Sequence, residues 1–244
     1  MSEFDFLNIP DSAVIGKTIY KKLYYENAEL SKTDVNKIKN NIDTVDRLYS
    51  LRPDTVNVSP YQDDIREFSE FEVLLVELRK SSDIKRIAEI ILRAIPYPML
   101  LIFRYENKIL YGVSHQRNSL TNISQNVIEE LIITDFVNKE EKIVDFKQYS
   151  YNNFYAMYCD LLDSIILYNA SRHFEIEKMD AAQAKYKLER LQLYESEIEK
   201  LELMIKKETQ FNRKVELNME LVQTKQKLNQ LLDDCEQEEK RWQS

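Results

Sequence analysis

Three features of the sequence predict an α+β fold: a small mixed sheet with flanking helices, followed by a long C-terminal helical coiled coil. Two short apolar runs, FEVLLVELR (71–79) and MLLIF (99–103), flank a segment with apolar residues at helical spacing. A hairpin pattern follows the second run. Residues 176–242 then form a charged stretch free of glycine and proline, with apolar residues recurring every seven positions. Three segments follow from this division: 1–152 as the α+β domain, 153–175 as a closing helix, and 176–244 as a coiled-coil or helical-hairpin module.

In chain order, the first element follows LSKTD. Ser31 or Thr33 is placed to cap a helix whose apolar face is Val35, Ile38, Ile42, Val45 and Leu48, with Pro53 soon after. TVNVSPYQDD is short and turn-rich and reads as a brief strand and a loop. Residues 71–79 are apolar and β-branched enough for a strand buried on at least one face. Asp83 is placed to cap an amphipathic helix carrying Ile84, Ile87, Ala88, Ile91, Leu92 and Ile95 on one stripe, ended by Pro96 and Pro98. MLLIF is too short for a helix and suits a central strand. ENK (106–108) is its turn, and ILYGVSHQR returns as the hairpin partner. VIEELIITDFV (127–137) fits either period, with Ile132, Ile133 and Thr134 favouring a strand at its end. NFYAMYCDLLDSIILYNA places Phe154, Met157, Tyr158, Leu161, Leu162, Ile165 and Ile166 on one helical face.

In the tail, Leu191, Ile198 and Ile205 stand seven apart with Tyr194 and Leu201 between them; Leu221, Leu228, Cys235 and Trp242 repeat the step further on. The two seams are out of phase, so the segment between them either unwinds a supercoil or folds a helix back. One helix from Asn153 to Trp242 would reach about 135 Å at 1.5 Å per residue, which makes a hairpin the compact alternative. The intervening ETQFNRKVELNMEL (208–221) carries the partner-binding candidates Gln210, Phe211, Asn212, Arg213, Val215 and Asn218. They put amides where a plain seam would hold leucine, and a buried Asn fixes the register and partner of a coiled coil.

Composition narrows the function. The net charge of −8 disfavours a chain whose whole surface embraces nucleic acid, although local basic patches remain open. Lys17, Lys21 and Lys22, interleaved with Tyr20, Tyr24 and Tyr25, are the nucleic-acid-binding candidates, because cations neutralise phosphate and rings stack on bases. The competing reading is a solvated face. The two cysteines, Cys159 and Cys235, have no spacing suited to a disulfide framework or zinc site, in keeping with a reducing cytoplasm. The N-terminus lacks an apolar core of signal-peptide length, and no run approaches the roughly 20 residues of a membrane span.

Catalytic raw material is sparse. With only His115 and His173, a Ser-His-Asp triad or a multi-histidine metal centre has little to draw on. With only Gly16 and Gly112, a phosphate-cradling glycine loop is excluded. One nuclease-like pattern survives. Glu77, Arg79 and Lys80 end a strand that leads into a helix and another strand, the order in which restriction-endonuclease-like cores place carboxylates for Mg²⁺ beside a basic residue. Arg79 stands where lysine is expected, and the upstream acid could be Asp63, Asp64, Glu70 or Glu72. The competing reading makes Glu77, Arg79 and Lys80 the polar side of a half-buried strand.

AIPYPMLLIFRYENKILYGV, VIEELIITDF, NFYAMYCDLLDSIILYNA, TIYKKLYYEN, LYSLRPDTVNV and above all ETQFNRKVELNMEL resemble a bacterial domain-of-unknown-function family of similar length. The resemblance implies an association with helicases and DNA methyltransferases, beside which members of that family are encoded in restriction-like or antiviral defence loci. Arg104 departs from the family, whose members often carry Glu there. The residues and the resemblance together lead to a non-enzymatic adaptor, without cofactor, that oligomerises through its coiled coil and docks a DNA-processing partner. A Mg²⁺-dependent nuclease centred on Glu77 and a DNA-binding sensor are the alternatives.

Overall fold

Alternation and β-branching place the strands, and the computed structural model describes residues 3–20, 30–95, 97–118 and 126–242, with the side chains of 116–118, 126–127 and 234–242 left outside that description. The chain divides into two compact units, residues 1–165 and 166–244.

In the first unit, β1 (Val14–Thr18) leads to α1 (Lys32–Asn41). Ser31 caps α1, its Oγ accepting from the Asp34 amide at 3.1 Å. The sequence pattern extends this helix through Ile42, Val45 and Leu48, but it stops at Asn41 and those residues lie in β2 (Ile42–Leu51). β2 pairs antiparallel with β5 (Phe71–Leu78), Ile42 opposite Leu78 and Val45 opposite Val76. Sheet pairing of a β-branched segment overrides its helical spacing. Ile38, Ile42 and Val45 nevertheless reach the same core. The Asn41 side chain closes the corner by donating to the Ser82 carbonyl at 2.7 Å.

A one-turn helix, α2 (Pro53–Val56), runs into the segment read as a brief strand and loop (55–64), which holds the two-residue strand β3 (Tyr61–Gln62), paired in a hairpin with β4 (Glu67–Phe68). β5 is buried along nearly its whole length, as an apolar run without alternation requires. α3 (Ile84–Ala94) then crosses to β6 (Met99–Tyr105), which runs parallel to β5. Asp83 precedes α3 but does not cap it; its backbone has φ of 60°, and its carboxylate pairs with Lys37 at 2.8 Å. β7 (Lys108–Asn118) returns antiparallel to β6 through a turn with Glu106 at φ of 54°. β8 (Asn126–Ile133) is a strand throughout rather than only at its end, and β9 (Val137–Asn138) pairs with the start of β7.

Among the described residues the sheet runs β1-β2-β5-β6-β7-β8, with β5 and β6 its parallel pair. One face packs Leu74, Val76, Leu101 and Phe103 against Ile38 of α1 and Ile87 and Ile91 of α3. On the other side Phe71 lies 5.7 Å from the Phe146 ring and 5.6 Å from that of Tyr158 on α4 (Phe154–Ser171). The Tyr158 hydroxyl is fully buried and grips the β7 backbone, donating to the Ser114 carbonyl at 2.8 Å and accepting from its amide at 3.2 Å.

The second unit contains α5 (Ala181–Lys207) and α6 (Phe211–Trp242). Asp180 caps α5 reciprocally with Gln183. No helix among the described residues is long and apolar enough to cross a membrane.

Candidate functional site

Glu77 ends β5 directly across from Arg104 on the parallel β6, and this register decides what the carboxylate does. Arg104 Nε lies 2.9 Å from Glu77 Oε2, and Nη2 contacts Oε1, so the carboxylate is gripped by a two-pronged guanidinium. The same guanidinium reaches Glu3 at 2.5 Å and lies 5.9 Å from the centre of the Phe4 ring. Hydrogen bonding to Arg104 holds the Glu3 carboxyl below its ordinary range, and pairing with Glu77 pushes Arg104 itself upward.

The remaining members of the nuclease-like pattern do not gather around Glu77. Arg79 turns to Asp43, at 2.7 Å, and to the Lys39 carbonyl, while Lys80 is exposed. Asp63 organises the β3–β4 turn, accepting from the amides of Ile65 and Arg66 at 2.9 and 2.6 Å. Asp64 is exposed, Glu70 takes the Tyr97 hydroxyl, and Glu72 is buried against Arg47. Among the described residues no group of three or more His, Cys, Asp or Glu side chains could hold a metal ion. The Asp43 and Arg104 counter-charges were the signals that sequence spacing did not expose, because both come from neighbouring strands.

Of the basic candidates, Lys17 is exposed on β1, whereas Lys21 and Lys22 lie outside the described residues, as do Tyr24 and Tyr25. Cys159 is half-buried on α4, and burial pushes its thiol upward. The side chains of Cys235 and Trp242 also lie outside the described residues.

The tail candidates sit where the chain reverses. α5 ends at Lys207, residues 208–210 form the connection, and α6 begins at Phe211. Glu208 makes this break without glycine or proline. One of its carboxylate oxygens accepts from the amides of Thr209 and Gln210 at 2.7 and 2.8 Å, which lowers its pKa and places negative charge at the start of α6. The helices then run back along each other. Glu202 reaches Lys225 at 2.8 Å, and farther from the turn Glu195 and Ile198 share a shallow groove with Leu228 and Asn229. The out-of-phase seams therefore belong to two helices. Leu191 and Leu201 are buried, with Tyr194, Ile198 and Ile205 half-buried; on α6 the protected positions are Leu217, Leu221, Thr224 and Leu228. Thr224 satisfies its buried hydroxyl on the Glu220 carbonyl at 3.0 Å.

The six partner-binding candidates lie outside that seam, contrary to the expectation of buried amides. Gln210, Asn212, Arg213 and Asn218 are exposed; Asn218 donates to the Lys214 carbonyl at 2.6 Å, and Arg213 pairs with Glu216 at 2.7 Å. Phe211 is 79% exposed and Val215 43%. The structure extends the row with Met219 and Val222, 60% and 54% exposed, which together continue a step of four, four and three residues on one helical face. That spacing is present in the sequence, but it lies across the segment between the two heptad seams and belongs to neither of them.

These features define an α+β domain with a parallel strand-helix-strand crossover and a helical hairpin that displays apolar side chains on its outer face. The chain belongs to the family described as domain of unknown function (DUF4391), which matches residues 7–228. No curated protein and no solved structure matches it.

Proposed function

We propose that this protein is a non-enzymatic adaptor that oligomerises through a coiled coil built from its tail helices and docks a DNA-processing partner, a helicase or methyltransferase, in cytoplasmic anti-phage defence. One observation carries the reading. Eight of the twelve large hydrophobic side chains that are exposed among the described residues lie on the hairpin, although its inner seam is already closed. Apolar side chains gathered on one module mark an interaction surface. Affinity capture from the native host, with the full chain and with a chain lacking residues 176–244, tests it. A helicase or methyltransferase retained only by the full chain is the expected result. Equal retention by both chains would overturn the reading.

A Mg²⁺-dependent nuclease centred on Glu77 is the second reading, favoured by the order β5-α3-β6 with its strands parallel. The Arg104 guanidinium opposes it, since it occupies both oxygens of the carboxylate a metal would need. Plasmid incubation with Mg²⁺ or Mn²⁺ separates the two readings: cleavage lost in Glu77→Ala would replace the adaptor by the nuclease.

A further inference from the structure

We propose that the outer face of α6 is the surface through which two copies of this chain pair, antiparallel, about a two-fold axis level with Leu217. The inference rests on the adaptor reading only in taking the tail as an assembly module; it assigns one face of that module to self-association.

At 100° per residue, Phe211, Val215, Met219, Val222, Gln226 and Asn229 form one stripe, on the side of α6 away from Leu217, Leu221, Thr224 and Leu228. The second stripe repeats at four and three residues, as the first does. A helix with such seams on opposite faces is built to sit between two neighbours. α5 supplies one of them.

Charge identifies the other. In a chain that is 31% charged, this stripe has no charged residue from Phe211 to Asn229; Asp233 is the first charge on it, and Asn212, Asn218 and Gln223 border it. Lys225 lies beside it but is drawn to Glu202 on α5. Depletion of charge around aromatic and methionine side chains is the compositional mark of an interface core. Two copies each carrying a net charge of −8 repel, and a neutral face lets them approach with least penalty. Amides both donate and accept, so a row of them is complementary to a copy of itself. A strongly charged partner would find nothing here to neutralise.

Geometry selects the direction. Antiparallel pairing about Leu217 sets Phe211 opposite Val222 and Val215 opposite Met219, matching large to small at both ends. It also separates the basic first turns, Arg213 and Lys214, of the two copies by roughly 10 Å along the axis. A parallel pair would stack Phe211 on Phe211 and abut those cations. The exposed parts of the four apolar side chains amount to about 400 Å² per copy, within the range of functional patches on monomers. With the amide border included, two copies approach the ~1,200 Å² at the lower end of specific interfaces.

Sedimentation of the full chain over a concentration series tests this. The expected result is a reversible shift from 29.1 kDa to twice that mass. Val215→Lys combined with Met219→Lys should weaken association at least about thirtyfold, with the helical far-ultraviolet signal retained. Tyr186→Lys, on α5, should leave the dimer intact. In chains carrying Cys159→Ser and Cys235→Ser, Phe211→Cys in one copy should cross-link to Val222→Cys in the other faster than either to itself. A monomer at every concentration, a dimer indifferent to the double substitution, loss of the dimer in Tyr186→Lys, or dominant same-site cross-links would each overturn the proposal. A monomeric chain that still captures a helicase or methyltransferase fails this inference together with the oligomerisation in the adaptor reading, and leaves the docking of a DNA-processing partner standing. A dimer that captures neither does the reverse.

Discussion

Replacing Glu72 by Gln should stabilise the sheet domain at alkaline pH and do almost nothing in mild acid. Glu72 is 1% exposed on β5, and Arg47 on β2 is its cationic partner among the described residues, at 2.9 Å between Nε and Oε2. Despite that distance, neither of the two atoms makes a well-aligned hydrogen bond. Burial pushes the Glu72 carboxyl up from 4.5 to about 7; the attraction of Arg47 offsets part of the rise, and the nearby Glu70 adds to it. The folded state therefore holds a proton that the unfolded chain has released. A raised folded pKa gives stability that is complete below pH 4.5 and is lost as pH climbs through about 7. At about 1.4 kcal/mol per pKa unit, the ionised side chain costs the fold about 3 kcal/mol in alkaline solution. Glutamine keeps the shape and cannot ionise, and Arg47, partly exposed, can turn to water. Guanidinium unfolding followed by the near-ultraviolet tyrosine signal, from about pH 5 to pH 8, should show the two chains equal at the acid end and the variant ahead by up to about 3 kcal/mol at the other. Hydrogen exchange of β5 amides should show the same divergence. A variant that is weaker at alkaline pH than in acid would refute the reasoning, because it would mean that the Arg47 pair repays its desolvation.

Two further outcomes follow from the same packing. Tyr158→Phe removes both hydrogen bonds to the Ser114 backbone from a buried site and should cost about 1–3 kcal/mol, read as a lower unfolding midpoint with an unchanged denaturant slope. Asp34 is held down from 3.8 to about 2 by hydrogen bonding to Arg86 and by Ser31, so its share of stability is present above pH 3.8 and disappears as pH falls toward 2. Asp34→Asn should accordingly flatten the acid limb of the unfolding curve, and an unchanged limb would remove Asp34 from the α1–α3 contact.

What was legible in the sequence was local. FEVLLVELR and MLLIF announced their strands because short, largely apolar runs rich in β-branched and aromatic residues suit a buried strand, and α3 announced itself by a full apolar stripe. The α1–β2 boundary was hidden because Ile38, Ile42 and Val45 serve one core whether the backbone carries them at helical or extended spacing. Only pairing with β5 decides between the two, and pairing is not written in the segment itself. The partner of Glu77 was hidden for the same reason: its position near a strand end could be read, but Arg104, twenty-seven residues later, becomes its neighbour only through the parallel register.

The tail joins the local and the non-local. Its two heptad phases pointed either to one long helix with a fault or to two helices, and the deciding group was Glu208, whose carboxylate binds two amides of the connection and opens α6 at Phe211. Once the chain turns there, Leu217, Leu221, Thr224 and Leu228 are committed to the protected side, and Phe211, Val215, Met219 and Val222 must face outward. The amides that spacing alone assigned to an internal seam thus end on the opposite face. In the antiparallel pairing proposed above, their role in choosing a partner would pass from the helices of one chain to the contact between chains, where a row of amides that both donate and accept would act on register.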